Sequence, residues 1–137
     1  YGCEAWTMTK ALTKRVAAFG MYSYRTILKI PWTAKVSNKK VLERVGETNN
    51  FLKAVITRKL IFMGHIMRHT SMQADILMGM VAGKRRCGRP QRSWWNDITE
   101  WTGLQQAEAI RRVQDRAAWR NLVHAAAEAV CQQQGTL

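Results

Sequence analysis

The chain has 137 residues, with 22 Lys and Arg against 9 Asp and Glu, which leaves a net charge of +13 and a pI near 10.4. That length suits one domain or two small helical lobes, and the charge points to a polyanionic partner, nucleic acid ahead of an acidic membrane surface. No run of about 18 apolar residues is present to span a membrane, no signal-peptide pattern opens the chain, and three scattered cysteines (Cys3, Cys87, Cys131) suit a reducing compartment better than a disulfide framework.

The chain opens on Tyr1 rather than Met, so a piece of a longer product is expected. Tyr1 to Thr9 reads as a lead-in, with Thr7 or Thr9 placed to cap the helix that follows. From Lys10 to about Ile30, Leu12, Val16, Phe19, Ile27 and Ile30 recur at helical spacing and are expected to face inward. Lys10, Lys14, Arg25 and Lys29 fall on the other side. Lys14 and Arg25, eleven residues apart, return to nearly the same face, and each has a cation four residues away, a mildly unfavourable arrangement that an adjacent phosphate backbone would reverse. Pro31 ends this helix. Ser37 caps a small helix, 38–45, with Val41, Leu42 and Val45 as its apolar face and Gly46 as its stop.

Thr48 or Asn49 starts the next helix, from Asn50 to about Arg68. Leu52, Val55, Ile56, Leu60, Met63, Ile66 and Met67 form one stripe, widened by Phe51 and Phe62, which predicts the core helix. Lys53, Arg58, Lys59 and Arg68 make it basic, with no acid between Thr48 and His69. His65 and His69 have the i, i+4 spacing of helical metal ligands, but no Glu follows His65 and no Cys-x-x-Cys supplies further ligands. One packed and one exposed or capping histidine is the expectation. Ser71 caps a short helix through Ile76, Leu77 and Met80, loosened by Gly79 and Gly83.

An extended basic loop then occupies residues 83 to 92. Lys84, Arg85, Arg86, Arg89 and Arg92 lie there with no acid among them, and Gly88 and Pro90 forbid a helix. Like charges held apart in this way repel unless a polyanion lies between them, so nucleic acid is the expected partner. Ser93 is placed to cap a helix of about two turns carrying Trp94, Trp95, Ile98 and Trp101, closed by Gly103. Asp97 and Glu100, three apart, read as an exposed face of it. The last helix is predicted over about 105–132, with Ile110, Val113, Ala117, Leu122, Ala126 and Val130 inward, Trp119 flanking, and Asp115 as an intrahelical partner of Arg111 and Arg112. The closing Gln-Gln-Gln-Gly-Thr-Leu tail should fray. No internal repeat, nucleophile elbow or phosphate-cradling glycine loop is present.

Several segments together resemble one family. Tyr1-Gly2-Cys3-Glu4-Ala5-Trp6-Thr7-Met8-Thr9-Lys10 is similar to the "YGxExWTLTK" segment of LINE-type non-LTR retrotransposon polyproteins, and Tyr24 to Trp32 to their "RRILxIxW" stretch. Val36 to Gly46 resembles "VTNEEVLRRVG", Gly64-His65 the "LGHVLR" segment, Gly83 to Ile98 "GKRxRGRPRxRWxDxI", and Asp115 to Arg120 "DRxxWR". These come in the family's order over nearly the whole chain. Cys87 departs from the usual Arg, so Cys87-Gly88-Arg89-Pro90 lacks one arginine of the AT-hook-like Arg-Gly-Arg-Pro, and minor-groove reading is weakened while phosphate attraction remains. Lys39 and Lys40 stand where the family has acids, and Trp94-Trp95 doubles its single Trp.

The resemblance implies the thumb and C-terminal extension of a reverse transcriptase, an RNA-directed DNA polymerase whose Tyr/Phe-x-Asp-Asp box lies upstream of this stretch. The family's catalytic aspartates are thus expected outside this chain, and the residues themselves offer no catalytic set, metal site or cofactor motif within it. The expected fold is all-α, a bundle of five to six helices, divided into a thumb-like region at 1–70 and a C-terminal extension at 71–137 that carries the basic loop. The first nine residues are expected to dangle, their partner being the upstream palm. Template–primer or target DNA, duplex or RNA–DNA hybrid, would be held non-specifically by Lys14, Arg25, Lys29, Arg58, Lys59, Lys84, Arg85, Arg86, Arg89 and Arg92, in the nucleus in preference to the cytoplasm and away from membrane. Two alternatives stay open: a stand-alone DNA-binding protein derived from such an element, and a relic without activity.

Overall fold

The computed structural model describes residues 2–46, 50–83, 87–88 and 92–134. Seven α-helices, and no strand, are found among them: α1 (Lys10–Ile27), α2 (Asn38–Val45), α3 (Asn50–Ile66), α4 (Met72–Met78), α5 (Trp94–Thr102), α6 (Gln106–Val113) and α7 (Arg116–Gln134). The all-α expectation holds, with one helix more than predicted.

The helix ends follow local chemistry. Thr9, Ser37 and Ser71 accept from the backbone N–H of Leu12, Lys40 and Ala74, and so start α1, α2 and α4. Gly46, Gly79 and Gly103 adopt left-handed φ near +70° and stop α2, α4 and α5. α1 ends at Ile27, ahead of Pro31. Ile30 N–H donates to Arg25 O at 2.9 Å and Lys29 N–H to Thr26 O at 3.1 Å, a Schellman ending with Lys29 at φ 52° where glycine is usual. Ser93 precedes α5 as expected, but its hydroxyl donates to Asn96 Oδ1 and caps no backbone N–H.

α3 is the axis of the core. Leu52, Val55, Ile56, Leu60, Met63, Ile66 and Met67 are all buried, as their spacing predicts. Each contributes roughly 1.5–3 kcal/mol by leaving water. α3 packs most extensively on α7, then on the N-terminal 3-10 turn (Cys3–Ala5) and α1. The α3–α7 contact needs a glycine. A Cβ on Gly64 would stand 2.5 Å from Trp119 Nε1, and that indole donates to Leu60 O at 3.0 Å. Trp119 is therefore a central core residue, 3% exposed, and does not merely flank.

Three further expectations are corrected. The helix predicted over 105–132 is two helices, because Asp115 accepts from the N–H groups of Ala117 and Ala118 and starts α7 afresh. Its role is a cap, and Ala117 points outward while Val123 and Ala127 take the inner positions. Along α1, Leu12 and Val16 pack on the core and Gly20 is buried near Phe51, but Phe19 and Ile27 are 54% and 74% exposed, so the apolar face predicted for α1 is not covered along its whole length. The N-terminal segment does not dangle: Cys3 and Met8 are buried, and Trp94 Nε1 donates to Glu4 O at 2.9 Å.

One apolar cluster runs from Cys3 to Ala127 and draws residues from both 1–70 and 71–137. No helix of the described residues is long and apolar enough to cross a membrane.

Candidate nucleic-acid interface

Burial separates the predicted cations. Lys14, Lys29 and Arg58 are exposed and pair with no acid among the described residues. Arg25 is half-buried, its Nη2 donating to Val36 O and Asn38 Oδ1 at 2.8 Å each; it ties α1 to the start of α2. Lys84, Arg85, Arg86 and Arg89 lie outside the described residues, as does most of the predicted loop; of its cations, Arg92 is described.

Lys59 cannot meet a phosphate. It is fully buried and forms an ion pair with Asp97, which is also fully buried. Its Nζ also donates to Trp6 O at 2.5 Å and stands 4.8 and 5.4 Å from the ring centres of Trp94 and Trp101. Burial pulls the Lys59 pKa below its ordinary value; the hydrogen bond and charge of Asp97 pull it back. Asp97 further accepts from Met8 N–H at 2.7 Å and from Arg92 Nε at 2.8 Å. Arg92 Nη2 also donates to Glu100. The Asp97–Glu100 face is thus occupied by Arg92, and Asp97 itself is interior rather than exposed as expected. The knot joins the N-terminal segment, α3, α5 and the end of the basic loop.

A sequence signal for Lys59 existed. It lies three residues after Ile56 and four before Met63, inside the apolar stripe, where a cation must find a buried acid. His65 and His69 are both exposed, with rings 5.0 Å apart, so the expected packed histidine is not found. No group of three metal-ligating side chains exists among the described residues.

What the surface retains is an uneven charge. From Ala5 to Leu42 there is no Asp or Glu, while Lys10, Lys14, Arg15, Arg25, Lys29, Lys35, Lys39 and Lys40 all fall there. These residues build α1, the corner after it and the first turn of α2. In the C-terminal half three further acids have partners: Glu108 faces Arg112 at 3.7 Å one turn away, Glu128 reaches across to Lys53 of α3 at 3.3 Å, and Asp115 caps α7. Between α1 and α3 lies a groove of about 630 Å³, lined by Leu12, Val16, Phe51 and Val55 among others, with Arg15 and Arg58 also on its lining.

No protein-family model matches this sequence, and neither a curated protein nor a solved structure is significantly similar to it.

Proposed function

We propose that the chain holds nucleic acid by phosphate contacts, as a non-catalytic C-terminal part of a non-LTR retrotransposon reverse transcriptase. The observation that carries the binding half is the acid-free stretch from Ala5 to Leu42, whose exposed cations lie on α1 and the following corner. Eight positive side chains in this stretch, of which Lys39 and Lys40 have an acid within one helical turn (Glu43), leave a net excess of repulsion that a sugar–phosphate backbone relieves while releasing its own counterions. Lys14 and Lys29 in this stretch, with Arg58 on α3, are exposed and would meet phosphate, and Lys84, Arg85, Arg86 and Arg89, which lie outside the described residues, would add four more cations. Arg92 anchors that loop through Asp97 and Glu100, and Lys59 supports α5 from inside.

The resemblance to the retrotransposon polyproteins supports the second half, and template–primer duplex or target DNA is the ligand it implies. Duplex DNA and RNA–DNA hybrid should bind the chain at low salt and lose affinity by more than about tenfold between about 50 and 200 mM salt. Equal affinity at both salts contradicts phosphate binding. A Tyr/Phe-x-Asp-Asp box is expected in the reading frame upstream of Tyr1. A frame that lacks it contradicts the polymerase assignment and leaves the binding claim standing.

A further inference from the structure

We infer that Trp32 is a stacking platform for an unpaired nucleobase, so that the corner between α1 and α2 takes single-stranded nucleic acid. This rests on the nucleic-acid reading above and adds a contact that phosphate attraction does not supply. At 92%, Trp32 is the most exposed large hydrophobic side chain among the described residues, whereas tryptophan is highly buried on average.

The corner that carries it is held firmly. Pro31 precedes a single 3-10 turn, Trp32–Ala34, in which Ala34 N–H donates to Pro31 O at 3.0 Å. Lys29 and Lys35 bracket the turn with φ of 52° and 46°, a left-handed backbone that non-glycine residues seldom adopt. Both close a helical segment, Lys29 as the C′ residue of α1 and Lys35 as the C-cap of the turn, and they persist because the surroundings over-determine them. Arg25 supplies part of that constraint by clamping Val36 O and Asn38 Oδ1 from α1. A backbone held in this way presents the indole to solvent with only its two side-chain torsions left to order when a base stacks on it.

The surroundings select the ligand. Lys29, Lys35, Lys39 and Lys40 are exposed around the corner, and no acid is nearer in sequence than Glu43. An aromatic face among cations is the arrangement that tracks a single strand: bases stack on the ring, and phosphates on either side meet the lysines. A duplex keeps its base faces stacked internally and offers the ring nothing except at its ends. Thr33 and Ala34 on the same turn are small and add no second aromatic of the kind a membrane-interface belt carries, although Ile27 at the end of α1 is exposed as well.

The test compares the full 137-residue chain with Trp32→Ala and Trp32→Phe on single-stranded oligothymidylate, blunt duplex DNA, and phosphatidylserine–phosphatidylcholine vesicles. Trp32→Ala should lower single-strand affinity about tenfold and leave blunt-duplex affinity within about twofold. Trp32→Phe should restore most of the loss, because any aromatic face can stack. Oligothymidylate should also quench tryptophan emission in the wild-type chain, and the quenching should disappear in Trp32→Phe. An unchanged single-strand affinity in Trp32→Ala, or an equal loss on both nucleic acids, overturns the inference while duplex binding by the wild type keeps the broader reading intact. Loss of vesicle binding alone in Trp32→Ala overturns it in favour of a lipid-facing tryptophan. Binding of neither nucleic acid by the wild-type chain removes both readings together.

Discussion

Lys59 and Asp97 show how a single pair decides which cations reach the surface. Both are fully buried, and removing one partner leaves the other charge without compensation, a loss of about 3–5 kcal/mol. Asp97→Ala should therefore destabilise the chain by that amount in urea unfolding. Lys59→Met combined with Asp97→Ala should recover part of it, because no uncompensated buried lysine remains, while Met8 N–H and Arg92 still lack the acceptor that Asp97 gave them. A double variant no more stable than Asp97→Ala would contradict this account of the knot. The sequence shows Lys59 inside an apolar stripe, but its partner lies 38 residues away and no local pattern joins them. Burial of Asp97 was illegible for the same reason: its contacts to Met8, Lys59 and Arg92 come from three separate segments.

Helix boundaries were far more legible, because caps act over three or four residues. Thr9, Ser37, Ser71, Gly46 and Gly103 stand where their chemistry places them. The break between α6 and α7 was missed because apolar spacing continues across it; the local signal was Asp115 itself, an N-cap residue read as a charge partner. Asp115→Ala should lower stability by about 1 kcal/mol in thermal unfolding, whereas a charge-partner role alone would cost a few tenths. At the corner after α1, Lys29→Gly and Lys35→Gly relieve left-handed strain, each by up to about 1 kcal/mol. The same variants should weaken nucleic-acid binding, since each removes an exposed cation. A gain in stability without a loss of affinity would mean that these lysines play no part in binding. The exposure of Phe19 and Ile27 was not legible in α1, because helical spacing defines an apolar face without saying how far its partner helix extends.

Across the molecule, the predicted division at residue 70 coexists with one apolar cluster that spans both sides. α3 from the first part packs on α7 from the second, and Lys59 joins Asp97 across the same boundary. Heat or urea should therefore unfold the chain in one transition, with helical circular dichroism and tryptophan emission superimposing. Two separate transitions would mean that the core is not shared in this way.

Function belongs to this scale as well, since it rests on charge distributed over many residues. The most direct measurement is the slope of log affinity for duplex DNA against log salt concentration, taken for the wild-type chain and for Lys14→Glu combined with Arg58→Glu. Phosphate binding predicts a steep negative slope for the wild type and a slope shallower by about two in the variant, one for each lost contact. A flat wild-type slope, or one that the two charge reversals leave unchanged, would contradict it.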